Sequence, residues 1–275
     1  MLWLYATLSS LVGLALLLFL IYLLVLVRPP KKIAPDPALL CDYAHRGLHG
    51  DGIAENSLSA FARACEQGHG IELDVQLSRD GVVMVFHDAT LVRMTGRDGK
   101  LCDYDAAELQ AMRLADTDET MPTFSEVLAL VDGRVPLLVE LKGETTDVSL
   151  CAPVAALLRN YKGPFCVESF NPMLLGEMKK HLPNTFRGML YTNVCHEKKK
   201  YSLLNMLLTV MALNVIAKPD FIAYNQIYRD SLPVRITTRL YRAPHLVWTT
   251  RGDRERAEAK AHGEHAIFEL YEKND

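Results

Sequence analysis

The sequence predicts a (β/α)8 barrel with a β-hairpin after its second strand, preceded by one transmembrane helix, and three observations predict it. Short β-rich runs alternate with amphipathic helical patterns along most of the chain, which argues a parallel sheet. One pair of runs is separated by only four residues, Ser78-Arg79-Asp80-Gly81, too few for a parallel crossover. Positions 2–27 hold no charged residue at all. A chain of 275 residues suits one large barrel or two ordinary domains, so length alone does not choose. With 49% hydrophobic and 23% charged residues, the composition excludes a disordered or collagen-like chain. A net charge of −3 is too balanced for an electrostatic clamp on nucleic acid, so no nucleic-acid partner is expected.

The elements follow in order. At about 1.5 Å per residue, positions 2–27 reach roughly 39 Å, enough to cross a hydrocarbon core of about 30 Å with some tilt. A cleaved signal peptide would carry a basic start, a shorter apolar stretch and a small-x-small cleavage site. Here no Lys or Arg precedes the stretch, and Arg28, Lys31 and Lys32 follow it. The expectation is an uncleaved single-pass anchor over 1–28. Basic residues after the span favour a cytoplasmic catalytic domain. Four prolines in 29–37 mark a linker, taken as 29–40, and the barrel domain is assigned to 41–275.

Within the barrel domain the strand candidates are 43–45, 70–77, 82–87, 136–141, 165–169, 187–191, 221–223, 246–248 and 266–269. Ser57 ahead of Leu58, Phe61 and Cys65 starts a helix that Gly68 stops. Asp105-x-x-Glu108 and Thr123-x-x-Glu126 read as capping boxes, and Asn171-Pro172 as an N-cap with proline at the first helical position. A tight turn centred on Arg79-Asp80 would pair Val82 with Leu77 and set His87 opposite Glu72. Removing the hairpin arm leaves eight parallel strands, the number that closes a barrel. The six cysteines stand singly with no C-x-x-C pair, which argues against a disulfide framework and for a reducing compartment.

The residues able to do chemistry collect at strand ends. Glu72 and Asp74 are two apart on a strand, so they share a face, and two carboxylates in an apolar run repel unless a cation joins them. Oxygen ligands of this kind suit Mg2+ or Ca2+; the plain alternative is an edge strand with solvated acids. Glu140 and Lys142 repeat the spacing, as a third carboxylate and a cation for an anionic substrate, or as a surface ion pair. His45-Arg46 follows the first strand and His87-Asp88 ends the hairpin arm. Two imidazoles near three acids, an Arg and a Lys have the parts for acid–base chemistry on a phosphoryl group.

Ala44-His45-Arg46-Gly47, Ala54-Glu55-Asn56-Ser57 with Ala60-Phe61, Glu72-Leu73-Asp74-Val75, Asp80-Gly81 and Val85-Phe86-His87-Asp88 occur in this order within 50 residues. Together they closely resemble the glycerophosphodiester phosphodiesterase family, and Glu140-Leu141-Lys142, Glu168-Ser169-Phe170 and Val247-Trp248-Thr249 extend the likeness to the C-terminus. The resemblance implies a (β/α)8 barrel that hydrolyses glycerophosphodiesters to sn-glycerol 3-phosphate and an alcohol. It implies His45 and His87 as the acid–base pair and Glu72, Asp74 and Glu140 as ligands of a divalent metal. Arg46 and Lys142 fall on the phosphate, Trp248 on the substrate at the mouth, and Glu55-Asn56 on a structural turn beside the metal site. Ala54 and Ser57 depart from the family's usual Pro and Thr, and the stretch after Trp248 departs from its usual valine and asparagine.

Segment 203–217 is apolar but for Asn205, Thr209 and Asn214, and follows three lysines. It reads as a barrel helix packed on the sheet, or as an interfacial helix on lipid. Alternative functions are lysophospholipase D-type cleavage of lysophospholipids, with membrane lipid as a partner, and a membrane-tethered binding protein without catalysis. A cysteine nucleophile is disfavoured, because no histidine is placed consistently beside any of the six.

Overall fold

The structure is a computed structural model that describes residues 2–30, 35–143 and 146–270. Nine strands form one sheet: β1 Tyr43–Ala44, β2 Gly70–Leu77, β3 Val83–Val85, β4 Leu137–Leu141, β5 Phe165–Ser169, β6 Phe186–Tyr191, β7 Phe221–Asn225, β8 His245–Arg251 and β9 His265–Glu269. Eight of them are parallel neighbours in a ring that closes because β1 pairs with both β9 and β2. The ninth, β3, lies antiparallel on β2 as the expected hairpin arm.

The hairpin register differs from the sequence expectation by one residue. Leu77 pairs with Val83 rather than Val82, and Val75 with Val85, so His87 does not lie opposite Glu72. The loop is longer than a two-residue turn because Ser78 closes it: its N–H donates to the Val82 carbonyl and its hydroxyl accepts from the Val82 N–H. Gly81, at φ +79°, turns the chain where a Cβ would be strained. The ladder ends at Val85, after which Phe86 N–H still reaches the Asp74 carbonyl, so His87 stands beyond the arm at the barrel rim.

Local signals and helices agree. Ser57 caps the helix Leu58–Glu66 by accepting from Ala60 N–H. Both capping boxes form, at Asp105–Glu108 and Thr123–Glu126, and Asn171 caps Pro172–His181. Segment 203–217 is not one helix: it divides into Leu203–Thr209 and Asn214–Ala217, with Met211 between them at φ +55°.

Strand alternation sorts the side chains into two cores. Outward residues such as Ala44, Ile71, Leu73, Val139 and Val167 pack under the helices. Inward residues Tyr43, Leu138, Cys166, Phe186, Phe221, Leu246 and Ile267 fill the barrel's lower interior, and Leu39, from the segment assigned to the linker, plugs its floor. Gly188 is required there, because a Cβ would stand 2.1 Å from the Phe221 ring. Two positions further along the strands the interior changes character, to Glu72, Glu140 and Glu168. All six cysteines are free thiols.

The N-terminal helix Leu2–Ile21 continues through Tyr22–Leu26, and Trp3–Leu26 is long and apolar enough to cross a membrane, with a mean hydropathy of 2.7. Its end packs on the barrel: Val27 is buried, and Tyr22 and Leu23 pack against the outer core. Lys31 and Lys32, on which part of the orientation argument rests, lie outside the described residues.

Candidate active site

In a parallel barrel all strand C-termini open on one face, and that geometry gathers the sequence-predicted residues. Glu72 and Asp74 project inward from β2, and Glu140 from β4, where Asp74 and Glu140 are register partners. All three carboxylates are buried, and their ligand atoms lie within 4.8 Å of one another. Lys142 reaches over them, with Nζ 2.8 Å from Glu140 Oε1 and 2.9 Å from Asp74 Oδ1. The Asp74 contact is Coulombic, since that oxygen has no partner in hydrogen-bond geometry.

Arg46 closes the other side. Held at φ +56°, it donates its backbone N–H to Glu72 Oε2 at 2.9 Å, while its guanidinium pairs with Glu55 at 2.8 Å and lies 3.5 Å from Asp74. Asn56, also left-handed and buried, donates Nδ2–H to Asp74 Oδ2 at 2.8 Å. The Glu55-Asn56 turn thus lies beside the acids, and Glu55 spends its oxygens on Arg46 and Arg93.

The electrostatics are unbalanced among the acids. Burial pushes Glu72 well up, aided by the charges of Asp74 and Glu140. Burial also lifts Glu140, against the pull of Lys142, to about 7. Asp74 is buried too, yet Lys142 and then Arg46 hold it well below the usual carboxylate range. Two cations therefore satisfy Asp74 and part of Glu140, and among the described residues Glu72 is left with a single backbone donor. A buried carboxylate cluster with surplus negative charge and oxygen donors this close fits a hard divalent cation.

Both histidines are oriented by carboxylates. His45 Nδ1–H donates to Glu269 Oε1 at 2.7 Å, and His87 Nδ1–H to Asp88 Oδ1 at 2.7 Å. Because a carboxylate only accepts, this assigns the proton to Nδ1 and leaves each Nε2 available for proton transfer. Arg93 grips Asp88 through Nε and Nη2, at 2.6 and 3.0 Å, and links it to Glu55. Burial lowers both imidazoles from their usual pKa, against the pull of Glu269 on His45 and of Asp74 on His87. Trp248 on β8 ties its indole N–H to the Ala223 carbonyl at 3.1 Å and meets Phe170 edge-on at 5.5 Å, roofing the lower interior at the mouth.

Comparison with known proteins bears on this arrangement directly. The profile of the glycerophosphoryl diester phosphodiesterase family matches residues 45–268, from the first histidine to the last strand. The chain belongs to that family. A glycerophosphodiester phosphodiesterase of Caldanaerobacter subterraneus is 33% identical over 160 residues, 54% of this chain and 65% of the relative. One from Bacillus altitudinis is 38% identical over 171 residues, 58% of this chain and 69% of the relative. A phosphodiesterase of Oleispira antarctica, solved with the product sn-glycerol-3-phosphate, superposes with a TM-score of 0.71 at 25% identity, covering 86% of this chain and 95% of the other. The aligned part spans slightly less than two thirds of the first relative's length.

For a member of this family, the sequence-chosen residues His45, Arg46, Glu72, Asp74, Glu140 and Lys142 meet at one mouth, with His87 beside them at the rim and Trp248 at its edge. Sequence reasoning gave no role to four others. Glu269 and Asp88 hold the histidines, and Arg93 locks Asp88. Glu168, register partner of Glu140, is fully buried with Oε2 unpartnered, and burial and the Glu140 charge push its pKa well up. Asp88 and Glu168 were legible as strand-end acids inside the quoted motifs; Glu269 carried no local signal, since it meets His45 only when the barrel closes.

Proposed function

We propose that this protein hydrolyses glycerophosphodiesters to sn-glycerol 3-phosphate and an alcohol, with a divalent metal held by Glu72, Asp74 and Glu140. The observation that carries the reading is the triad of buried carboxylates within 4.8 Å, flanked by Lys142, Arg46 and two carboxylate-oriented histidines. When bound, the metal supplies Lewis-acid polarisation of a phosphoryl oxygen and offsets the negative charge of the acids. Arg46 and Lys142 present the remaining cationic surface to the phosphate, Arg46 through its planar fork. One imidazole, neutral, accepts at Nε2 a proton of the attacking water, and the other, starting as the imidazolium, gives its Nε2 proton to the alcohol oxygen as its bond to phosphorus breaks. Glu269 and Asp88 keep both rings in the required tautomer and stabilise each ring while it is protonated. Trp248 and Phe170 form an apolar edge against which the glycerol carbons can rest.

The N-terminal helix supports an anchor rather than a leader, because its end is built into the domain: Val27 is buried and Tyr22 donates to the Val210 carbonyl at 2.9 Å. Arg28 after the span and six free thiols support a cytoplasmic barrel. Labelling of the exposed Cys102 by an impermeant thiol reagent in intact cells would reverse that orientation.

Product analysis tests the reaction. Purified full-length protein given glycerophosphocholine, glycerophosphoethanolamine or a lysophospholipid should release the free alcohol from at least one, and leave phosphate on the glycerol. Release of phosphocholine with free glycerol would place the cleavage on the wrong P–O bond. Release of choline from the lysophospholipid alone would move the substrate to the acylated class.

A further inference from the structure

The apolar segment after β6 turns only part of its apolar surface inward, where Leu208 packs against the outer core. In the helix Leu203–Thr209 the one buried residue is Asn205, whose side-chain N–H donates to the Lys200 carbonyl. Leu203 and Leu204 point outward at 70% and 58% exposure, and Met206 is exposed beside them. A helix on a water-facing barrel shows the opposite pattern. The exposure continues along the rim: Ile227, just after β7, is 68% exposed, and Phe170, just after β5, is exposed as well. All these residues follow strand C-termini, so they border the mouth. The connections after β6 and β7 are tied into one body there. Cys195 N–H donates to Thr209 Oγ1, and Tyr228 bonds both His196 and Glu197.

The N-terminal helix is docked beside this patch in a defined sense. Lys218, three positions ahead of β7 at the barrel's closed end, reaches the Val25 carbonyl at 3.4 Å. Tyr241, four positions ahead of β8 and so also at the closed end, reaches the Leu23 carbonyl at 2.6 Å. The Tyr22 side chain instead reaches Val210, one residue past helix Leu203–Thr209, at 2.9 Å, beside Tyr191 at the C-terminal end of β6. From Val25 to Tyr22 the helix therefore climbs toward the mouth, and Leu2–Ile21 continues the same way. Those 20 residues measure about 30 Å, one hydrocarbon core. The bilayer surface then falls at the level of Tyr22 and Val210, next to Leu203, Leu204 and Met206. Lys199 and Lys200, both exposed, lie at that level and suit anionic headgroups.

We propose that the β5–β7 side of the mouth is a membrane-docking rim, which seats the open end of the barrel on the bilayer crossed by the N-terminal helix. The inference rests on the anchor reading above. It turns the mouth toward headgroups rather than toward bulk water, so substrate would enter along the bilayer surface. An exposed apolar patch continuous with a membrane span is covered by lipid at no further ordering cost.

The full-length protein, with Cys102 replaced by serine, is given one new cysteine as Leu204→Cys, Ile227→Cys or Asn184→Cys. Asn184 is exposed just ahead of β6, at the closed end. Each variant is labelled with an environment-sensitive dye, its background taken from the parent, and reconstituted into phosphatidylglycerol-containing vesicles with chain-brominated lipid. Labels at 204 and 227 should lose about half their emission to the quencher, as side chains seated about 5–10 Å into the interface do, and the label at 184 none. Unquenched labels at 204 and 227 on protein that resists carbonate extraction overturn the rim while leaving the anchor standing. Quenched labels on protein that carbonate removes support the rim and overturn the anchor. Labels shielded from an aqueous quencher but not reached by brominated lipid also overturn the proposal, in favour of a second copy of the chain.

Discussion

In the proposed mechanism the two histidines act only while their Nδ1 protons stay committed to Glu269 and Asp88. His45→Ala and His87→Ala should each lower kcat by about 10²–10⁴ with unchanged circular dichroism. Near wild-type turnover by either would remove that ring from the mechanism. Glu269→Gln makes a sharper test. Burial sets the His45 pKa below its usual value, and the Glu269 hydrogen bond and charge partly restore it. Removing that charge lowers the pKa further, so the limb of the pH–kcat/KM profile that His45 governs should move to lower pH. An unmoved profile would leave Glu269 a purely structural role. The same pair links to stability. Burial raises Glu269, but His45 and Arg251 bring it down to about 2, below the usual carboxylate value. A depressed folded pKa means the stabilisation is present above about 4.5, the unfolded value, and is lost as pH falls toward 2. For the metal, Glu72→Gln, Asp74→Asn and Glu140→Gln should each weaken divalent-ion affinity in calorimetry, by tenfold or more by analogy with lost ligand-shell groups, about 10–100-fold. Equal affinity in all three variants would place the ion elsewhere.

At the scale of elements, the sequence was most legible where one residue's chemistry fixes a local end. Ser57, Thr123 and Asn171 all cap helices as their side chains dictate. The β2 and β5 boundaries agree residue for residue with the apolar runs. The hairpin register was not legible, because a one-residue slip depends on whether Ser78 closes a longer loop, and both loops have the same residues. Nor could periodicity reveal the break at Met211 or the exposure of Leu203, Leu204 and Met206, since composition does not say which side of an apolar segment meets the barrel. Site residues on strands near a motif were legible, whereas Glu269 required barrel closure to come near His45. A packing prediction belongs here too. Gly188→Ala sets a methyl against the Phe221 ring and should cost about 1–3 kcal/mol, read as a lowered thermal midpoint. An unchanged midpoint would mean the lower interior repacks freely.

At the scale of the molecule, one closed ring does three things. It buries an apolar lower interior that holds the strands in register, it lifts a band of carboxylates to the open end, and it brings the two chain ends of the ring together so that β9 completes the site begun at β1. The band of acids is unfavourable by itself: four buried carboxylates, Glu72, Asp74, Glu140 and Glu168, share Arg46 and Lys142, and burial pushes Glu72 and Glu168 well above the carboxylate range. A divalent metal held by the band, with phosphate at the rim, would offset that cost. The most direct measurement is the turnover of glycerophosphocholine by full-length protein, stripped by chelator and then titrated with Mg2+ or Ca2+, with sn-glycerol 3-phosphate followed by phosphorus NMR. No product is expected in chelator, and saturable recovery is expected with one of the two ions. Undiminished turnover in excess chelator would contradict this.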